Sequence, residues 1–71
     1  PEISKTILIN YPESYIAEGL AFIQKKFSKI EIGSYPFYHG KKKGVNVVLR
    51  GKNLKQISNA EKEIKKIIKS L

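Results

Sequence analysis

The sequence predicts an α+β fold: a two-layer sandwich in the order β-α-β-β-α, with a three-stranded antiparallel sheet ordered 1-3-2 and two helices on one face. This is the topology of a KH-like or half-ferredoxin unit. Three observations carry the prediction. Period-two or β-branched runs fall at residues 3–9, 30–38 and 45–50. Apolar stripes at helical spacing fall at 16–27 and 54–71. Breakers separate the segments at Asn10-Tyr11-Pro12, His39–Gly44 and Gly51-Lys52.

The first segment, Ile3-Ser4-Lys5-Thr6-Ile7-Leu8-Ile9, reads as a strand with Ile7 and Ile9 inward. Pro12 suits the first turn of a helix because its missing N–H costs nothing there, and Glu13 then faces the positive end of the helix dipole. Ile16, Leu20, Ile23 and Phe27 form one stripe, with Glu18, Lys25, Lys26 and Lys29 off it. Gly19 interrupts this helix at a cost of about 1 kcal/mol, and close approach of the helix to the sheet is the expected return.

At Ile30 and Ile32 the period changes to two, giving a second strand that runs into Ser34-Tyr35-Pro36-Phe37-Tyr38. Pro36 cannot donate to a ladder, so this strand lies at an edge or breaks there. His39-Gly40-Lys41-Lys42-Lys43-Gly44 reads as a loop. Val45, Val47 and Leu49 then alternate with Asn46, Val48 and Arg50 as a third strand, completing a hairpin. The last helix has Leu54, Ile57, Ile64, Ile67, Ile68 and Leu71 on one side. Asn53 is preferred as its cap over the equally well spaced Ser58 and Glu61, because the stripe already includes Leu54 and Ile57. Both helices cover one face of the sheet. The other face, with Leu8, Val48, Arg50 and the aromatics of 35–38, is left open unless a partner covers it.

Composition narrows the function. The chain is one small domain of residues 1–71, without cysteine for disulfides or a Cys-based metal site. It holds no aspartate, one histidine and six glutamates, so no catalytic residue is assigned and neither a metal nor a cofactor is expected. Because it opens on Pro1, the chain reads as a piece of a longer protein. It carries no signal or membrane-spanning segment, so a cytoplasmic location and no membrane partner are the expectation. The net charge of +8 comes from thirteen lysines and Arg50 against the six glutamates, and it concentrates after residue 30; residues 1–11 are neutral overall.

Three features could still carry chemistry. His39 beside glycine is ordinarily a solvated turn residue. Lys41, Lys42 and Lys43 between glycines could contact a polyanion, yet the loop joins two strands, whereas phosphate-binding loops lead from a strand into a helix. Tyr35, Phe37, Tyr38 and Tyr11 among lysines admit base stacking, so a basic nucleic-acid-binding module is the alternative reading. Against it, Arg is nearly absent, and Gly40 and Gly44 do not form the GxxG loop between two helices that a KH module uses.

Ile32-Gly33-Ser34-Tyr35-Pro36, followed by Val45-Asn46-Val47-Val48-Leu49-Arg50-Gly51, resembles the competence/damage-inducible protein A family, in the small KH-like domain that follows its molybdopterin-binding-like domain. The resemblance covers about a third of the chain. It implies a non-catalytic accessory or oligomerisation domain, with Ile32 to Pro36, Arg50 and Gly51 as structural or docking positions. The implied partner is a neighbouring catalytic domain of the same chain or a second subunit, and the implied parent activity is that of a nucleotide pyrophosphatase.

Overall fold

The computed structural model describes residues 1–71 as strand β1 (Ile3–Ile9), a 3-10 turn (Glu13–Tyr15), helix α1 (Ala17–Lys26), strands β2 (Glu31–His39) and β3 (Lys42–Gly51), and helix α2 (Leu54–Lys69). The sheet order is β1-β3-β2 and both pairings are antiparallel. The predicted order of elements and strands is therefore the observed one.

One register explains which residues are buried. Side chains directly opposite each other in an antiparallel pair share a face. Val45, Val47 and Leu49 of β3 lie opposite Ile9, Ile7 and Lys5 of β1 and opposite Pro36, Ser34 and Ile32 of β2. The helices lie on this face. Ile16, Leu20, Ile23 and Phe27 from the first helical segment and Ile57, Ala60 and Ile64 from α2 close over it, with Ile30 at one end. All thirteen core members are apolar, and no polar side-chain atom is buried without a partner. Each fully buried Ile or Leu contributes about 1.5–3 kcal/mol, so this cluster carries most of the stability of a chain without covalent crosslinks.

Local chemistry fixes the ends of the elements. Asn53 caps α2, its side chain accepting from the Gln56 N–H at 3.1 Å, as the preferred reading has it. The β2–β3 connection is tighter than the loop read from 39–44. His39 pairs with Lys42, leaving only Gly40 and Lys41 in the turn, and Lys42 and Lys43 belong to β3. Gly40 at φ +65° supplies the left-handed first turn residue that such a two-residue connection needs. Pro12 does not launch an α-helix directly. A 3-10 turn intervenes, Ile16 at φ −121° leaves helical geometry, and α1 starts at Ala17. Gly19 faces α2 rather than the sheet: a methyl group there would lie 2.7 Å from Cδ1 of Ile67. Leu54 and Leu71, read as part of the apolar side of α2, are largely exposed, and Ala60 takes a central place in the core.

Ion pairs link sheet to helix, helix to helix and one turn of α2 to the next. Lys5 of β1 reaches Glu61 of α2 at 3.3 Å, and Lys26 of α1 reaches Glu63 of α2 at 2.8 Å; Lys65 also meets Glu61 from its own helix at 3.4 Å. Desolvation pushes the Glu61 carboxyl up. The hydrogen bonds and charges of Lys5 and Lys65 outweigh it and hold the group below the ordinary glutamate range.

Candidate docking surface

The sheet face away from the helices is uncovered. Register places its residues in cross-strand rows: Ser4, Arg50 and Glu31; Thr6, Val48 and Gly33; Leu8, Asn46 and Tyr35; then Gly44 with Phe37 and Lys42 with His39. Leu8 and Tyr35, at 59% and 53% exposure, flank Asn46, while Val48 and Phe37 are half-buried. The result is an apolar centre with charged groups at both ends.

Glycines shape this surface by the room they leave. A methyl group at Gly33 would stand 3.0 Å from the Tyr35 hydroxyl oxygen, so the tyrosine ring lies back along its own strand over bare backbone. A methyl group at Gly44 would press into the ring of Phe37, which lies across the neighbouring strand at that point. The aromatic rings thus lie down on the sheet and present their faces outward.

The motif residues divide between the two sides. Gly33, Tyr35 and Arg50 face outward. Ile32, Ser34, Pro36 and Gly51 face the helices. The Ser34 hydroxyl donates to Oε2 of Glu13 at 2.6 Å and fastens the 3-10 turn to β2, a contact Glu13 makes in addition to its place in the first turn of that helix. Gly51 is buried beneath Ile30. Of the aromatics expected on the open face, Tyr35 and Phe37 are there. Tyr38 lies opposite Lys43 on the other side, with the ammonium 5.7 Å from its ring centre.

The lysine cluster disperses. Lys41 sits in the turn, Lys42 lies on the open side opposite His39, and Lys43 lies on the opposite side against Tyr38. These residues border a groove with Leu8, Asn10 and Phe37 at the hairpin end of the sheet.

Sequence reasoning passed over Gln24. Its side-chain amide donates to the carbonyls of Ile30 at 2.8 Å and Phe27 at 3.4 Å, and its Oε1 accepts from the Ile32 N–H at 2.8 Å. It therefore pairs with the free edge of β2 as a neighbouring strand would. The only signal in the sequence is an uncharged polar residue beside two lysines at the end of α1.

No helix is long and apolar enough to cross a membrane. Compared with known families, residues 1–71 match the family described as FAD synthase, middle domain. No curated protein and no solved structure matches the chain.

Proposed function

The chain belongs to the FAD synthase middle-domain family, and from that premise we propose that it is a non-catalytic accessory domain whose open sheet face docks on a neighbouring domain of the same chain. The observation that carries this reading is the apolar centre made by Leu8, Tyr35, Val48 and Phe37 on a face that no element of the chain covers. Contiguous exposed apolar surface with a charged rim is characteristic of an interaction site. FAD synthesis, the activity in the matched family's name, then belongs to the neighbouring domains, and it replaces the nucleotide pyrophosphatase activity expected for the parent. Likeness to the competence/damage-inducible family in the segments 32–36 and 45–51 supports the same accessory role. Arg50 and Glu31 at one end of the face, and Lys42 and His39 at the other, would set the orientation of docking.

Tyrosine modification tests the reading. Tyr35 should iodinate more slowly in the longer chain that carries this domain than in the 71-residue chain, while Tyr38, 73% exposed on the other side, should react alike in both. Equal reactivity of Tyr35 in the two contexts would overturn the proposal.

A further inference from the structure

The two edges of the sheet are not equivalent. On β2, the Ile32 N–H points away from β3 to Gln24. Alternation along an antiparallel strand then sends the backbone groups of Ser34, Pro36 and Tyr38 outward as well. This edge is closed twice: Gln24 occupies the groups at Ile30 and Ile32, and Pro36 offers no donor at the next but one outward position.

The same alternation carries across the sheet. Residues of β2 that face inward pair with Lys42, Gly44, Asn46, Val48 and Arg50, so Val45, Val47, Leu49 and Gly51 bond toward β1. Their partners there are Ile9, Ile7, Lys5 and Ile3, which leaves the N–H and C=O groups of Ser4, Thr6 and Leu8 pointing outward. No proline, glycine or side-chain clamp interrupts them. An open edge of this kind is a template for another strand.

We propose that this edge of β1 pairs antiparallel with β1 of a second copy, about a two-fold axis at Thr6, joining two three-stranded sheets into one of six strands. Charge and symmetry select a second copy. Within a chain of net charge +8, the charges nearest this edge cancel: Glu2 just before the strand and Glu61 on the side of α2 that overlooks it offset Lys5 and Lys65, both of which reach Glu61. With Thr6 opposite its own counterpart, Ser4 pairs with Leu8 of the second copy and Lys5 stands beside Ile7, so no like charges meet along the strand. The helix side has matching symmetry. Glu61, fixed over Lys5, has Leu54 seven residues before it and Ile68 seven residues after, so antiparallel α2 helices would set each Leu54 against the other copy's Ile68 and the two Glu61 carboxylates across the axis, each neutralised by its own Lys5 and Lys65. Leu54 is 58% exposed, and this pairing would cover it. The surface is distinct from the open face of the sheet and does not depend on what docks there.

Because the chain contains no cysteine, single-cysteine variants report the geometry directly. Directly opposed residues in a hydrogen-bonded antiparallel pair have Cα atoms about 5.5 Å apart, within reach of a disulfide. Under mild oxidation T6C should form a covalent dimer, whereas K41C at the hairpin tip should stay monomeric. By sedimentation equilibrium the unmodified chain should approach twice its 8.1 kDa mass with rising concentration, and the shift should strengthen with salt, which screens repulsion between two +8 chains. T6K, which opposes two ammonium groups on the axis while altering only an exposed side chain of the monomer, should abolish the dimer with an unchanged circular dichroism spectrum. Y35E should leave it intact, which separates this proposal from docking by the open face. A chain that stays monomeric at millimolar concentration in high salt, or a dimer that survives T6K, would overturn it.

Discussion

Replacing Gly51 with alanine should destabilise the domain, although alanine ordinarily improves on glycine in regular structure. The added methyl would lie 2.8 Å from Cγ2 of Ile30 and 3.4 and 3.6 Å from its Cβ and Cα. Carbon atoms pack best at about 3.5–4.0 Å, so Ile30 would have to retreat by roughly 0.7 Å or more. It has little freedom to do so. Its side chain is buried and β-branched, hence stiff about χ1, and its carbonyl is held by Gln24 at 2.8 Å. Overpacking of this kind costs about 1–3 kcal/mol, against roughly 0.5–1 kcal/mol recovered from the unfolded chain, for a net loss of about 1–2 kcal/mol. In a domain of this size each kcal/mol moves Tm by about 4–8 °C, so thermal unfolding followed by circular dichroism should show a fall of about 5–15 °C. Gly19→Ala is the internal reference. Its 2.7 Å contact is with Cδ1 of Ile67, the far end of a partly exposed side chain that can rotate away, and an alanine in a helix gains about 1 kcal/mol. That variant should match or exceed the parent in Tm. Equal stability of Gly51→Ala and the parent, or equal losses at the two glycines, would refute the reasoning.

Three further measurements follow from the contacts described. Gln24→Ala should cost about 1–3 kcal/mol by stranding the Ile32 N–H and the Ile30 carbonyl, and hydrogen exchange at Ile32 should accelerate more than at Val47. Because Glu61 titrates lower in the folded than in the unfolded chain, its contribution is present above the unfolded value and disappears as pH falls through the folded one. Urea unfolding between pH 7 and pH 3 should therefore show a loss of up to about 1 kcal/mol from this group, and Glu61→Gln should lack that part of the pH dependence. Asn53→Ala should cost about 1 kcal/mol and Ser58→Ala much less, since the Gln56 N–H bonds to Asn53.

The order of elements and the strand order were legible because they rest on periodicity, which survives without tertiary knowledge: Ile7 and Ile9, Val45 and Val47 of β3 and the stripe from Ile16 to Phe27 all face inward as their spacing requires. What escaped notice depended on contacts between distant segments. Glu13 read as a helix-start residue and does open the 3-10 turn, but its bond from Ser34, twenty-one positions away, left no mark in the local pattern. Gly19 signalled close approach, but spacing could not tell sheet from helix as the neighbour, and Ile67 proved to be the one. Lys42 and Lys43 read as loop by composition because polarity outweighs pairing in such a reading, whereas one glycine at positive φ let β3 begin earlier. In the docking surface, Tyr35 and Val48 followed from alternation, while the placement of Tyr38 needed the register across β3.

A core built from isoleucine, leucine, valine, phenylalanine and alanine alone contains no directional bond that one residue type must supply. Volume-conserving exchanges among such side chains generally cost less than about 1.5 kcal/mol. Evolutionary drift in this domain is therefore expected to run through its interior, and the positions that resist it should be the ones whose atoms do something no aliphatic group can do: the amide of Gln24, the missing Cβ at Gly44 and Gly51, and the hydroxyl of Ser34.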